Sequence, residues 1–496
     1  MNHPVPRFFT SVLAPAVGLA ALAACSDPFG FDAAPVEGPE VCAASREWLP
    51  DTPPMDLFKP LPHPATECPF YRGGWQNFLV ATQPDADGAP AILSYPTIDD
   101  VFEHAVPPAE GRAVLGDIKQ AGGRQILIDQ NGNSIYYGIH VNQEYADFIA
   151  RHGLRTREAV EDADPRLFFP AGVVEFKSAW QIVEDGDDAD DYISVTTTVP
   201  TLSMDADHHV VEDRDTPREV QVRLLALHVV FTLPGHPEFV WATFEHSDGT
   251  PDAQAADGKR NVAPISEGNP DPDDPNNLED DTVISADDHI LYGGGTPANA
   301  GNQAVAEEEL ELDEASQKFV QATSVYRMFP ASKSNTVDPD EAISSLNLNV
   351  EALFREAADT LDPADHRGHY RLVGAVWMDK PAYFVDDSAI QNDETSPFID
   401  EPGFVDDIRA NGSDSDFSIL AGEDRLSSTA MESFTQAPDS FPNCFSCHNT
   451  QAVTAKGVPL DRDSSGVKLL DPKLLNVSHV LSQFILEENQ AAEAAP

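Results

Sequence analysis

Alternating apolar and polar residues mark a series of β-strands through the first half of the chain. The clearest pair is ILIDQ and NSIYYGIHV on either side of Asn131-Gly132, a dipeptide that favours the positive φ angles of a type I′ hairpin. Further runs are rich in Val, Thr, Phe and Trp, and GDDADD at 186–191 has the composition of a polar hairpin tip. The pattern predicts a mainly antiparallel β unit with strands at 173–183, 191–202, 219–233, 238–247 and 369–378.

Apolar residues at helical spacing predict helices between and after these strands. The aromatic run PFYRGGWQNFLVATQ after Cys68 is partly helical in character and should dock on the body of the protein. The other predicted helices are 142–151 with Asn142 as its cap, 303–328 with Leu310, Leu312, Phe319, Val320 and Val325 near one stripe, 349–359 with Asn349 as its cap, 429–436 with Thr429 and Glu432 at capping-box spacing, and 474–486.

The N-terminal segment has the pattern of a processed export signal. Arg7 precedes the apolar run 8–24, and Leu22-Ala23-Ala24-Cys25 matches a bacterial lipobox in which Cys25 is lipidated and becomes the mature N-terminus. In that pattern the following Ser26 indicates the outer membrane, whereas the alternative is a plain secretory signal with an incidental cysteine. No later stretch has the roughly 20 uninterrupted apolar residues of a spanning helix. We therefore expect an extracytoplasmic body that meets the membrane only through a lipid anchor.

The five cysteines fit this location. Cys25 is assigned to lipid, and two more lie in a short C-terminal motif, which leaves Cys42 and Cys68 as an even remainder. In an oxidising compartment the simple assignment is a Cys42–Cys68 disulfide. Such a bond would hold the Pro-rich segment 48–65, which has little other means of ordering itself.

The charge balance restricts the possible partners. The 496 residues contain 84 Asp and Glu against 30 Lys and Arg, a formal net charge of −54. Such a surface repels the phosphates of nucleic acids, so DNA or RNA binding is not expected. The charge is interpreted either as adaptation to high salt or as a docking face for a basic redox partner; the even spread of acidic residues favours the first.

Residues 444–449 read C-F-S-C-H-N and carry the most specific chemistry in the chain. Two thiols separated by two residues can add across the vinyl groups of a porphyrin, and the adjacent histidine then lies under the iron. Cys444, Cys447 and His448 are therefore predicted to hold one covalent haem c. A thioredoxin-like motif would need a βαβ frame, and a zinc site would need a second ligand pair nearby; the sequence offers neither.

The second axial position of the iron stays open at this stage. No Met follows His448, so the familiar small-cytochrome pattern is broken. His479 on the apolar stretch 474–486 is the first candidate, and Met431 before the motif is the second. The third alternative is an open position, which would permit chemistry as well as electron transfer.

Two other groups of polar residues have weaker site character. A cluster of histidines and acids on two predicted strands could build a metal or substrate site if His228 faced Glu245 or His246, although structural roles are more usual. The stretch 461–472 resembles an EF-hand loop but has Pro472 where the bidentate Glu belongs, so an ordinary acidic turn is favoured over calcium. The residues concerned are His228, His236, Glu245, His246, Asp248, Lys177 and Trp180 in the first group, and Asp461, Asp463, Ser465, Gly466 and Asp471 in the second.

Three stretches together resemble large single-haem c-type cytochrome lipoproteins of bacteria. They are STAMESFTQ, the N-C-F-S-C-H run, and the strand pair LLALHVVF and EFVWATFEH, and the likeness spans about residues 125–486. The resemblance implies haem, export and a two-part body, and it implies no particular reaction. The expected architecture is α+β: signal peptide 1–24, Pro-rich tether 25–70, mainly antiparallel β-rich domain 71–425 with an acidic loop at 248–288, and a small helical cytochrome c-like haem domain 426–496.

The function expected from these observations is single-electron transfer by an exported monohaem cytochrome. Its partner would be a redox protein or a small-molecule electron donor or acceptor. The alternative is a haem-dependent oxidoreductase, peroxidase- or oxygenase-like, with a substrate site in the β-rich domain. A third possibility is a binding protein that the haem only braces.

Overall fold

The computed structural model describes the central part of the chain and several shorter segments. The described residues are 42–49, 67–86, 88–102, 113–120, 125–234, 236–253, 282–328, 342–362, 365–378, 420–422, 428–436, 444–446, 448, 473–478, 480–481 and 484. The predicted signal peptide with Cys25, most of the acidic loop 248–288 and the EF-hand-like stretch 461–472 lie outside them.

An antiparallel sheet of seven strands forms the centre of the fold. Its strand order is β1-β2-β4-β5-β8-β9, with β3 also paired to β4, and a separate two-stranded hairpin is formed by β6 and β7. The strands are β1 (Tyr136–Val141), β2 (Val174–Ile182), β3 (Ser194–Met204), β4 (Val210–Leu233), β5 (His236–His246), β6 (Leu312–Asp313), β7 (Lys318–Phe319), β8 (Tyr370–Met378) and β9 (Leu420–Gly422). The antiparallel β unit is confirmed.

Strand β4 is long because it has different partners along its length. Its first part pairs with β3, and its last part lies between β2 and β5. Val222 pairs with Ile182 of β2 and with Val195 of β3, so these two strands lie on opposite edges of β4. The segment 186–191 therefore crosses from one edge of β4 to the other, and its prediction as a hairpin tip was wrong.

Five α-helices surround the sheet in the described residues. They are α1 (Cys68–Ala81), α2 (Ile98–Val101), α3 (Gln143–His152), α4 (Arg157–Glu161) and α5 (Ala342–Ala357). The predicted cap of α3 is present, since the Asn142 side chain accepts a hydrogen bond from the Tyr145 amide at 3.1 Å. Helix α5 extends back to Ala342, so Asn349 lies inside it and instead accepts a hydrogen bond from the Ala44 amide at 2.6 Å.

The two faces of the sheet carry separate hydrophobic clusters. Alternate residues of a strand point to opposite faces, and Val229 packs in the cluster that includes α1 and α5, whereas Val230 packs in the cluster that includes α3. A third cluster contains Tyr137, Ala226 and Met431. Because Ala226 and Val230 are four residues apart on one strand, the second and third clusters share a face, with His228 between them.

The predicted hairpin at 125–141 is present with a different turn. Ile128 pairs with Ser134, and the Gly132 amide donates to the Asp129 carbonyl at 3.1 Å. Only Gly132 has a positive φ, +84°, whereas a type I′ turn needs two such residues. The Asp129 carboxylate accepts from the amides of Asn131 and Asn133 at 2.9 and 2.7 Å, which favours a type I turn followed by a left-handed glycine.

The amphipathic helix predicted at 303–328 is absent. This stretch forms a short 3-10 turn at Glu307–Glu309 and the β6–β7 hairpin, and the side chain of Val320 is exposed. The Gln317 amide group bonds both the amide and the carbonyl of Leu202 on β3, at 2.7 and 2.8 Å. Asp313 also accepts hydrogen bonds from Ala315 and Ser316, so polar contacts rather than an apolar stripe determine the local fold.

A disulfide joins Cys42 to Cys68, as the sequence predicted. Part of the predicted tether is also packed: Trp48 is fully buried in the cluster of α1 and α5. The chain is thus a mixed α+β protein with an antiparallel sheet. In the described part of the chain no helix has both the length and the hydropathy needed to cross a bilayer.

Candidate haem site

The haem-motif residues lie against the face of the sheet that carries α3. Cys444–Ser446 form a 3-10 turn, and the His448 amide donates to the Cys444 carbonyl at 2.9 Å. Phe445 is fully buried in the second cluster, where it contacts Trp241 of β5 with ring centroids 6.3 Å apart. Cys447 lies outside the described residues. Burial of Phe445 therefore holds the motif on β5.

The His448 imidazole is stacked on the sheet and kept neutral. Its ring lies 4.3 Å from that of Trp241, at an interplanar angle of 23°. Burial lowers the pKa of His448 to about 3; the nearby Glu432 opposes this change, and the nearby His228 and Lys177 support it. A neutral imidazole is the form that coordinates a metal. The donor expected from the sequence is thus in its ligand form at neutral pH.

Beside His448, a polar row crosses three strands of the same face. Lys177 of β2, His228 of β4 and Thr243 of β5 are register partners. His228 shares a hydrogen bond between Nδ1 and the Thr243 hydroxyl at 2.8 Å, and its Nε2 lies 2.7 Å from Oε1 of Glu432. The Lys177 ammonium lies over the Tyr137 ring, 5.0 Å from its centroid. We call Lys177, His228, Thr243 and Glu432 the polar row.

Glu432 is a charged member of this row. Burial raises the pKa of Glu432, but the charge and hydrogen bond of His228, together with the charge of Lys177, leave it below the usual value. The carboxylate is therefore ionised at neutral pH, with the Lys177 ammonium nearby and the His228 ring within hydrogen-bond distance. A mostly buried carboxylate without such partners would be destabilising.

The segment 428–436 brings Glu432 to the sheet, and it is held by buried polar contacts. The Thr429 amide and hydroxyl donate to the two Glu245 carboxylate oxygens at 2.6 and 2.7 Å. Arg327 pairs with Glu245 from the other side and with Asp252 at 2.5 Å. Only a 3-10 turn at Ser433–Thr435 forms here, so the predicted capped helix at 429–436 was wrong. Thr429 is used to bind Glu245 rather than to cap a helix.

Of the two candidate distal ligands, only Met431 lies among the described residues. Met431 is fully buried in the third cluster, apart from the cluster that holds Phe445. His479 lies outside the described residues, although its neighbours do not. The Ser478 hydroxyl lies 3.0 Å from that of Tyr145 on α3 and also bonds Glu175 of β2. The first residues of the predicted helix 474–486 form a 3-10 turn, Leu474–Val477, and the described residues 480, 481 and 484 are helical.

The other histidines and acids predicted as a possible site are separated from His228. Glu245 pairs in register with Ala226, and His228 pairs with Thr243, so the expected facing of His228 with Glu245 or His246 was wrong. Asp248 donates its backbone amide to the Nδ1 atom of His246 at 3.2 Å.

Two more residues of that group take structural positions. His236 is buried and pairs with Glu238 at 2.7 Å. Lys177 does face His228, but Trp180 lies after a β-bulge and packs in the cluster of α1 and α5 on the other side of the sheet. Sequence reasoning missed the role of Glu432, which it assigned to a helix cap.

No family model, curated protein or solved structure matches this chain. The site is therefore interpreted from its own residues and geometry.

Proposed function

We propose that this chain is an exported c-type cytochrome lipoprotein that transfers single electrons through one covalently bound haem. Cys444 and Cys447 hold the porphyrin, and His448 is the proximal iron ligand. The observation that carries the proposal is the C-F-S-C-H run, whose His448 ring stacks on Trp241. When bound, haem supplies a one-electron couple, and the haem unit predicted from the sequence is residues 426–496.

The protein's own residues have a limited set of tasks in this function. Trp241 supports one face of the His448 ring, which fixes the direction of the ligand nitrogen. Phe445 attaches the motif to the sheet and excludes water beneath it. Of the two distal candidates, His479 is favoured over Met431, because Val477 and Val480 on either side of it pack in the cluster that holds Phe445, whereas the Met431 side chain packs in a separate cluster.

The proposed location is extracytoplasmic, with Cys25 lipidated and the body facing the periplasm from the outer membrane. The lipobox carries this part of the proposal, and the Cys42–Cys68 disulfide supports it, because such bonds persist in oxidising compartments. The partner is a redox protein or a small-molecule electron donor or acceptor. The strong negative charge excludes nucleic acid as a partner in this proposal.

The direct test is a covalent haem stain on denatured protein that was exported in a host able to attach haem c. We expect a stained band for the wild type and no stain for Cys444→Ser/Cys447→Ser. The matched control is Cys42→Ser/Cys68→Ser, which also removes two cysteines but should keep the stain on any protein that is recovered. Equal staining of wild type and Cys444→Ser/Cys447→Ser would contradict the proposal.

The polar row favours a second candidate function, a haem-dependent oxidoreductase. Lys177, His228 and Glu432 act electrostatically on His448, and charged groups of this kind can hold or transfer protons near a reacting ligand. The ferric optical spectrum separates the candidates. A low-spin spectrum that cyanide and peroxide leave unchanged indicates electron transfer, and a high-spin spectrum that responds to them indicates catalysis.

The variant His228→Gln tests the second candidate further. It keeps a side chain that can bond Thr243 but removes the imidazole partner of Glu432. If the protein is a peroxidase-like enzyme, peroxide-dependent turnover should fall about 10²-fold or more, as is usual for loss of a general acid or base. The haem stain should stay the same. Unchanged turnover would remove the polar row from any catalytic role.

A further inference from the structure

Two histidines and an aspartate meet at the protein surface, apart from the haem-motif residues. Asp191 precedes β3, and His366 and His369 lie at the start of β8, where Arg367–His369 form a 3-10 turn. One potential ligand atom from each of the three lies within 4.8 Å of the others. Among the described residues this is the one group of three such side chains with that geometry.

The spacing is close to what a small divalent cation requires. Zinc binds imidazole nitrogen and carboxylate oxygen at about 2.0–2.2 Å, which places neighbouring tetrahedral ligand atoms roughly 3.4 Å apart. The Nε2 atom of His369 already lies 3.6 Å from Oδ1 of Asp191. The remaining separations, at most 4.8 Å, close by rotation of side chains that are exposed or half-buried.

The backbone that carries the two histidines is held firmly. Arg367 between them is buried, pairs with Asp365 through two bonds of 2.7 Å and donates to the Leu79 carbonyl at 3.1 Å. The amide and hydroxyl of Ser247 both donate to the His369 carbonyl, at 3.0 and 2.8 Å. Ligands on a rigid turn bind a metal with less loss of conformational entropy.

The third ligand is held by a buried histidine. The Nδ1 atom of His246 accepts from the Asp248 amide at 3.2 Å, so its Nε2 carries the proton and donates to the Asp191 carbonyl at 3.1 Å. The Tyr192 ring stacks on His246 at 3.5 Å. These contacts fix the backbone that carries the Asp191 carboxylate.

The local charge also favours a cation. The carboxylates of Asp190 and Asp191 act electrostatically on His366 and give this part of the surface a negative potential that attracts divalent ions.

We propose that Asp191, His366 and His369 bind one divalent cation of the Zn²⁺, Ni²⁺ or Cu²⁺ class. Two imidazoles and one carboxylate suit these borderline ions and are a poor set for Mg²⁺ or Ca²⁺, which take oxygen ligands. Three protein ligands leave at least one position for water or a partner's side chain. The ion would join the connection before β3 to the start of β8. This proposal does not depend on haem.

The test is titration of the full-length, haem-loaded protein with Zn²⁺ by calorimetry, with Co²⁺ absorption as a second readout. We expect the wild type to bind one equivalent of Zn²⁺. The variants His369→Gln and Asp191→Asn should each lower the affinity for Zn²⁺ at least 10-fold. His209→Gln is the matched control: His209 is another exposed histidine, 3.4 Å from Asp205, and its replacement should leave binding unchanged. The Co²⁺ spectrum of the wild type should show intense tetrahedral bands.

Two outcomes would overturn the proposal. The first is stoichiometric binding that His369→Gln and Asp191→Asn leave intact, and the second is no binding of either ion by the wild type. Circular dichroism of each variant establishes that it is folded before its affinity is compared. Repeating the titration with Cys444→Ser/Cys447→Ser separates this site from metal binding at the haem motif. The site formed by Asp191, His366 and His369 should still bind one equivalent of Zn²⁺ in that variant.

Discussion

Histidines in this fold differ in whether their ring nitrogens have hydrogen-bond partners. His246 uses both ring nitrogens, and His228 has a partner at each of its own. His140 of β1 is almost fully buried, and neither of its ring nitrogens has a hydrogen-bond partner. Burial lowers the pKa of His140 to about 4, against the opposing charge of Asp100. Protonation of His140 should therefore oppose folding, because the charged ring would be buried without a partner.

The variant His140→Leu should be as stable as the wild type at pH 7 or more stable by about 1 kcal/mol, because it removes two buried polar atoms without partners. The larger effect is on pH dependence. The folded-state pKa of His140, about 4, is below the unfolded value of about 6.5. Between those values the unfolded state binds more protons, so the stability of the folded state decreases as the pH is lowered. For this one group the loss from pH 7 to pH 5 is about 2 kcal/mol.

Urea denaturation of both proteins at pH 5, 6, 7 and 8 measures this difference. Between pH 7 and 8 the two stability curves should run parallel, which serves as the internal control. Below pH 6.5 the wild type should lose stability faster than His140→Leu. Curves that stay parallel down to pH 5 would show that burial does not hold His140 neutral in the folded protein.

At the scale of single residues, the sequence predicts which residues would hold haem but not what surrounds them in the fold. Three residues at fixed offsets, Cys444, Cys447 and His448, are a local signal that needs no fold. The His228–Glu432 pair joins residues 204 positions apart. No pattern near either residue shows that contact, because it depends on segment 428–436 binding Glu245 through Thr429.

At the scale of elements, short-range patterns predicted the strands and failed where long-range polar contacts determine the conformation of a segment. The alternation in β2, β5 and the last part of β4 is visible in a few residues and was sufficient, whereas the first part of β4, from Val210, was not predicted. The stretch 303–328 has an apolar stripe, but Gln317 is bound to Leu202, 115 residues away, and adopts a positive φ of 59° that ends any helix. The sequence of the stretch alone contains no sign of that partner.

The 128–134 hairpin provides a test of how tightly these elements are joined. Gly132 has a φ of +84°, and a Cβ atom there would lie 2.4 Å from the Phe319 carbonyl oxygen of β7. The Phe319 amide also donates to the Gly132 carbonyl at 2.8 Å. Gly132→Ala should therefore combine left-handed backbone strain with a backbone clash and cost about 3 kcal/mol of unfolding free energy or more.

The matched control for that variant is Gly153→Ala at the end of α3. Gly153 has a φ of +67° and no atom within 4 Å of the added Cβ, so only the backbone strain applies, about 1 kcal/mol. Thermal or urea unfolding of the two variants gives the comparison. Equal losses would mean that β7 moves away from Gly132 at little cost, contrary to the packing described.

At the scale of the whole molecule, the charge of −54 exceeds what local pairing can compensate. Only 30 basic residues are present, and several are committed to buried pairs, as Arg327 is to Glu245 and Asp252. Most carboxylates therefore repel one another across the surface. Composition alone predicts this property, since it depends on the number of charges and not on their contacts.

The folded state should therefore be stabilised by salt. Raising NaCl from 0.1 to 1 M shortens the screening length from about 10 to 3 Å, which removes most repulsion between exposed carboxylates. We expect the midpoint of urea unfolding at pH 8 to rise steadily over this range. At pH 4, where roughly half of ordinary Asp and Glu side chains are protonated, the rise should be smaller because less charge remains to be screened.

A midpoint that does not change with NaCl at pH 8, or that rises equally at both pH values, would show that self-repulsion does not limit the stability of this fold. A rise at pH 8 alone would instead link the acidic composition to the high-salt interpretation of the charge.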